Sequence, residues 1–199
     1  MPHFIVLLGV FVSILGGAAY IRDTLLGSTK PNRVTFLVWA IAPLTGAAAS
    51  FSAGVTWAML PVFISGFIPL LILITSFANK HAYWKLGAFD YVCGIFALLA
   101  LLLWALTKDS DIAIVFAILS DAFAVLPTLR KAWKFPETET SIAYIAALFT
   151  ALTSFSELST YSFAAYAFPT YLSCAGCFLV FALYRKKVIQ QYRAFTLGA

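Results

Sequence analysis

The chain reads as an all-α integral membrane protein: seven transmembrane helices, arranged as two parallel three-helix repeats joined by a linker helix (3+1+3). Three observations carry that expectation. Apolar residues make up 62% of the 199-residue chain and charged residues 11%, with a mean hydropathy of +0.94. An ordinary soluble domain holds about 45–50% and about 25%, so this surface must meet lipid. The apolar stretches are continuous and approach the ~20 residues that a helix needs to cross a bilayer, rather than alternating as barrel strands do. Finally, two stretches read alike at a constant offset of 105 residues: Ala19, Pro31, Thr35, Trp39 and Thr45 fall in register with Ala124, Pro136, Thr140, Tyr144 and Thr150. A duplicated helical unit fixes the architecture before any motif is read.

The spans follow in order at 4–21, 34–52, 55–78, 90–106, 112–132, 140–156 and 161–184. The first has no basic residue before it and Arg22 after it, which makes it an N-out anchor rather than a signal peptide, despite the small run Gly16-Gly17-Ala18-Ala19. The second follows the polar turn Lys30-Pro31-Asn32-Arg33 and contains Pro43; the third contains Pro61 and Pro69. The fourth has no counterpart in the duplication. Three helices is an odd number, so this extra crossing lets the second copy insert in the same orientation as the first. The fifth span contains Pro127, the sixth follows the turn Phe135–Thr140, and the seventh contains Pro169 and ends at Arg185-Lys186-Lys187. Prolines inside so many spans suit a membrane bundle, where neighbours re-satisfy the freed backbone groups. The organisation is one membrane domain over 1–199: repeat one over 1–78, a linker with the fourth helix over 79–110, repeat two over 111–184 and a basic tail over 185–199.

Charge placement gives the orientation. Every lysine and arginine except Lys108 falls in the first, third or fifth connection or in the tail. Short basic loops stay in the cytoplasm, so the expected location is the plasma membrane with the N-terminus outside and the C-terminus cytoplasmic.

The segment Leu126-Pro127-Thr128-Leu129-Arg130-Lys131-Ala132-Trp133-Lys134, followed by Glu137-Thr138-Glu139-Thr140, resembles the signature of the PQ-loop and SWEET-like transporter superfamily. The likeness is to a divergent, bacterial-type member. Thr128 stands where that family has glutamine, and Ile21-Arg22-Asp23 replaces the proline-containing tripeptide of the first copy. The resemblance implies a 3+1+3 plan and transport of small solutes. The asparagine often found in SWEET pockets has no counterpart in the third or seventh span, so sugar gains little support.

Asp121 is the ionisable residue deepest in a span, near the bilayer midplane, where a charged side chain costs at least ~2.5–3.5 kcal/mol and usually faces the bundle interior. It reads either as a carboxylate that binds a proton or a substrate amine, or as an acid held by a neighbouring hydroxyl. Trp39 and Tyr144 occupy equivalent places on the second helix of each copy; they read as walls for a solute ring or cation, or as helix packing. Pro43 and Pro127 are the expected hinges. Arg22, Asp23, Arg130 and Glu137 form the candidate cytoplasmic gate, with a solvated loop as the plainer reading. Gly9, Ser13 and Gly17, like Ala42, Gly46 and Ser50, recur at a spacing that lets helices approach closely.

Cys174 and Cys177 lie inside an apolar span and read as packing residues. His3 and His81 fall on opposite sides of the membrane, and no nucleotide, nucleophile or zinc motif is present. No catalytic activity, metal or cofactor is expected, and nucleic acid is not a partner. The expected function is alternating-access transport of a small polar solute (sugar, amino acid or carboxylate), with proton linkage as an open expectation. A non-transporting membrane receptor or assembly subunit is the alternative. The bilayer is the expected partner; whether copies associate as a homo-oligomer stays open.

Overall fold

The computed structural model describes residues 2–52, 60–107, 109–157 and 161–196. Lys108 lies outside them, as do the side chains of Ser50, Lys187 and Arg193 and the packing of Gly46. The described residues form seven α-helices: α1 (Pro2–Leu26), α2 (Arg33–Ser52), α3 (Leu60–Ala78), α4 (Ala88–Leu106), α5 (Ser110–Lys134), α6 (Ser141–Thr153) and α7 (Phe163–Thr196). Each coincides with an expected span. α1, α4, α5 and α7 contain segments long and apolar enough to cross a membrane, and α2, α3 and α6 are shorter apolar helices. Their outer faces carry Phe4, Phe11, Leu15, Ile95, Leu102 and Phe178, all exposed. A lipid solvent explains that surface; water does not.

The ends differ from the sequence reading in one place. The basic residues Arg185 and Lys186 do not begin a separate tail, because α7 runs through them to Thr196. They lie beside the C-terminus of α5: the Arg185 guanidinium donates to the Trp133 carbonyl and covers the Trp133 ring at 4.0 Å, and Lys186 Nζ donates to the Lys134 carbonyl at 3.3 Å. Cations there complement the negative end of the helix dipole. The side chain of Pro61 lies outside the described residues. Pro43, Pro69, Pro127 and Pro169 do lie inside helices.

Packing follows one pattern twice. α3 packs on both α1 and α2; α7 packs on both α5 and α6. Across the centre α1 meets α6 and α2 meets α5, while α4 lies on α5 and α2. Small residues set the α1–α6 approach. A Cβ on Gly9 would lie 2.5 Å from Thr153 Oγ1, and one on Gly16 would lie 2.6 Å from Ala146 Cβ and 3.2 Å from Ala143 Cα. Ser13 lies between them and bonds Thr150 Oγ1 at 2.9 Å. Gly17 instead faces α3, where its Cβ would meet Ile68 at 2.5 Å. The four-residue spacing in the sequence therefore drifts off the contact face, and Gly16 replaces Gly17, because a helix turns every 3.6 residues.

Cys174 and Cys177 are both exposed on α7, so they do not pack the interior, whereas Cys93 is buried.

Gly16→Ala is expected to destabilise the fold by about 1–3 kcal/mol through overpacking. Adding Ala146→Gly should restore part of that loss, because the Ala146 methyl is the nearest obstacle. Denaturant titration of the purified protein in detergent measures both effects.

Candidate functional site

Two polar centres lie on one side of α5, ten residues apart, or about 15 Å along the helix axis. The first is at Lys131 and the second at Asp121.

Lys131 is the last residue of a buried run, Ala124, Thr128 and Lys131, spaced by four and three along α5. Arg130 and Lys134 point away and are exposed. The chain then turns through Pro136–Thr138 and brings Glu139 back beneath α5. Lys131 Nζ lies 2.8 Å from Glu139 Oε1, with the two side chains only 1% and 0% exposed. Glu139 Oε2 accepts from Tyr20 Oη at 2.7 Å and from Tyr144 Oη at 2.8 Å. Lys131 Nζ also donates to the carbonyls of Lys30 and Thr138, and the Trp84 ring covers it at 5.0 Å. Charges this deep persist only when paired and fully hydrogen-bonded. Here each ion has its counter-ion and at least two further partners.

This cluster joins the two halves of the chain. Tyr20 and Lys30 come from α1 and the α1–α2 turn, Trp84 from the connection between α3 and α4, and the other members from α5, the α5–α6 turn and α6. Lys30 N donates to Thr138 O at 3.0 Å, and Thr29 Oγ1 meets Thr140 Oγ1 at 2.6 Å. Two further bonds obey the 105-residue offset: Thr128 Oγ1 donates to Thr35 Oγ1 at 3.0 Å, and Thr140 Oγ1 donates to Asp23 Oδ2 at 2.9 Å. Thr35 Oγ1 in turn donates to the Ala124 carbonyl at 2.7 Å, beside the turn that Pro127 disrupts.

The four residues of the expected gate do not meet. Arg22 pairs with its neighbour Asp23 at 2.8 Å in an exposed position, Arg130 covers the Phe89 ring at 4.8 Å, and Glu137 is exposed on its turn. Only Asp23 reaches across, to Thr140. The carboxylate that crosses is Glu139, two residues further on.

Above this cluster lies a cavity of about 600 Å³ whose lining comes from all seven helices. Its floor is the buried group Tyr20, Phe36, Ile72, Tyr144 and Leu179. From there it extends past Trp39 and Asp121 to Pro43, Ser65, Ser154 and Phe168. Asp121, Trp39 and Tyr144 thus line one space, together with Pro43; Pro127 is buried outside it.

Asp121 lies near the middle of the 25-residue α5. Its Oδ2 accepts from Tyr171 Oη of α7 at 2.7 Å. The indole N–H of Trp39 is buried with no acceptor in bonding geometry, yet it lies close enough to the Asp121 carboxylate to act on it. Neither donor carries a charge, and among the described residues no lysine, arginine or histidine lines the cavity. The carboxylate is therefore held in place without a counter-ion.

The sequence reading missed Glu139, Lys131 and Tyr171. The spacing Ala124, Thr128, Lys131 was a signal for Lys131, since it places a lysine on the small-residue face of the helix. Tyr171 carries no such signal, because α7 is apolar on every side.

Among the described residues no group of three or more histidine, cysteine, aspartate or glutamate side chains is placed to hold a metal. No family model, curated protein or solved structure matches the chain.

Glu139→Gln is expected to destabilise the protein by about 3–5 kcal/mol, because it leaves Lys131 charged, buried and without a counter-ion. Lys131→Met should cost a similar amount, and the two together less than their sum. A double-mutant cycle on unfolding free energies checks this.

Proposed function

We propose that the chain is a small-solute membrane transporter that works by alternating access between two three-helix bundles, α1–α3 and α5–α7, with α4 as linker. The observation that carries this reading is the central cavity: it lies between the two sets, draws its lining from both, and holds a midspan carboxylate. Transporter sites characteristically form at the interface of structural repeats near the bilayer midplane. A receptor or assembly subunit would have no need of such a space, and a packed centre would favour that rival.

The repeated packing supports the 3+1+3 plan, since the third helix of each set lies against the first and second. So do the Thr35–Thr128 and Thr140–Asp23 bonds, which exchange under the offset. Asp23 and Thr128 take equivalent places. That is where the resemblance to PQ-loop transporters places their glutamine, so the departures from the motif keep its hydrogen-bonding role.

By charge placement the Lys131–Glu139 end faces the cytoplasm. The bonds of Glu139 to Tyr20 and of Lys131 to the Lys30 carbonyl then hold the cytoplasmic exit shut. Opening the exit parts α1 from α6 and α2 from α5. Pro43 and Pro127 are the flexing points, because each helix lacks a backbone bond there. Glu139 keeps Lys131 and Tyr144 throughout, as all three belong to the second bundle, so opening exposes no unpaired charge. Proton linkage belongs to this proposal through Asp121: Asp121→Asn keeps the size of the side chain and removes its ionisation, and flux through that variant should lose its dependence on pH.

Three measurements test the reading. Liposome uptake should be saturable for at least one solute among sugars, amino acids, small carboxylates and organic amines; no uptake of any would sink it. With the native cysteines replaced, single cysteines at the exposed positions His81 and Glu137 should be shielded from an impermeant reagent in intact cells, while those at Asp111 and Tyr161 react; the reverse pattern overturns the orientation. Tyr20→Phe deletes a hydrogen bond to a charged group, worth about 1.5–3 kcal/mol. It should shift the population about tenfold or more toward the cytoplasm-open state. A cysteine at Ala143, on the cavity wall, should then label faster from the cytoplasmic side.

A further inference from the structure

We infer that the ligand of the central cavity is a monovalent organic cation with an apolar body of about ring size and no carboxylate; this rests on the transport reading and narrows its substrate class. Among the described residues the cavity contributes one negative charge, Asp121, and no positive one. A carboxylate solute would meet that charge with nothing to offset it. A zwitterionic amino acid would satisfy Asp121 with its ammonium group but leave its own carboxylate desolvated and unpaired, which is costly in an apolar interior.

The polar side chains of the wall also argue against sugars. A sugar needs several donors and acceptors that are free to turn toward it, because buried polar groups left unpaired are penalised. Here the hydroxyl donors are committed elsewhere. Ser65 bonds the Val62 carbonyl, Ser120 the Ala97 carbonyl and Ser154 the Ala151 carbonyl. Ser13 and Thr150 bond each other, and Thr150 also the Gly9 and Ala146 carbonyls. Tyr20 and Tyr144 are committed to Glu139. The Asp121 carboxylate faces this space, with the buried Trp39 N–H on the same wall.

The rest of the wall suits the other half of such a ligand. Trp39, Trp104, Phe36 and Phe168 bring aromatic rings to the cavity, and most remaining contacts are aliphatic. Aromatic faces attract a cation within about 6 Å of the ring centre, most strongly when it is desolvated. A volume of about 600 Å³ lies within the ~300–1,000 Å³ typical of pockets for small organic ligands. Asp121 would take the cationic head, fixed by Tyr171 at 2.7 Å, and the rings would take the body.

The test is calorimetric titration of the full chain in lipid nanodiscs. The probes are phenethyl-trimethylammonium; its uncharged carbon isostere, with tert-butyl in place of trimethylammonium; phenylacetate; phenylalanine; and glucose. The cation should bind about tenfold or more tightly than every other probe. Asp121→Asn should remove that preference while leaving the isostere unchanged, which also reports that the cavity is intact. Asp121→Glu should keep the preference and decides the matter if the asparagine variant does not fold. Equal binding of cation and isostere, retention of the preference in Asp121→Asn, its loss in Asp121→Glu, or tighter binding of glucose, phenylalanine or phenylacetate would each overturn the inference. Cation binding with no liposome flux leaves the ligand class standing and removes the transport reading. Flux of a sugar or carboxylate with no cation binding does the reverse.

Discussion

The Glu139 carboxylate is the constraint on which the packing of this protein turns. It is buried within a largely apolar bundle, and a charge in such a place is tolerable only if it is paired and hydrogen-bonded. Lys131 and two tyrosine hydroxyls supply the donors. Each donor comes from a different helix, so satisfying one side chain fixes α1, α5 and α6 relative to one another at this end. Lys131 imposes a matching demand on the turns, since its ammonium group reaches the carbonyls of Lys30 and Thr138. Dispersion between apolar helices is non-directional and would allow many registers in lipid. The polar cluster admits few, and that specificity is the best-attested use of a buried ion pair.

The contrast between the two carboxylates on this axis is informative. Glu139 has three donors, one of them a cation. Asp121, about 15 Å along α5 from Lys131, has a tyrosine hydroxyl and, among the described residues, no cation, and it faces a cavity. One acid is committed to structure and the other faces a cavity. A bundle evolved only for stability gains nothing from an uncompensated acid beside an empty volume, because filling both with packed apolar side chains lowers the energy. Function is the economical reason for such a site to persist.

Backbone accounting shows how the interior tolerates its prolines. Pro127 removes one helical bond of α5, and the hydroxyl of Thr35 on α2 reaches the adjacent carbonyl of Ala124. The break in α5 is thereby tied to its contact with α2, through the same threonine that accepts from Thr128. A change in the separation of α2 and α5 is felt where α5 is weakest. At the opposite side of the centre, α1 and α6 approach through Gly9 and Gly16 and bond through Ser13 and Thr150.

The number and position of the helices were legible in the sequence, because lipid demands long apolar runs and internally satisfied backbone, and composition records both. The midspan depth of Asp121 was legible in its place within an apolar run, and the equivalence of Trp39 and Tyr144 in the internal likeness; that all three line one cavity was not. The partners of charged residues were not. Glu137 and Glu139 have the same chemistry and lie two residues apart in one turn, yet one is exposed and the other is buried beneath α5. The sequence by itself determined the solvent of this protein, its helical class and the depth of its one midspan acid. The tertiary structure alone decided which carboxylate is paired and which is left facing a cavity. Pairing depends on side chains more than a hundred residues apart in the chain, such as Tyr20 and Glu139, and local pattern carries no record of that distance.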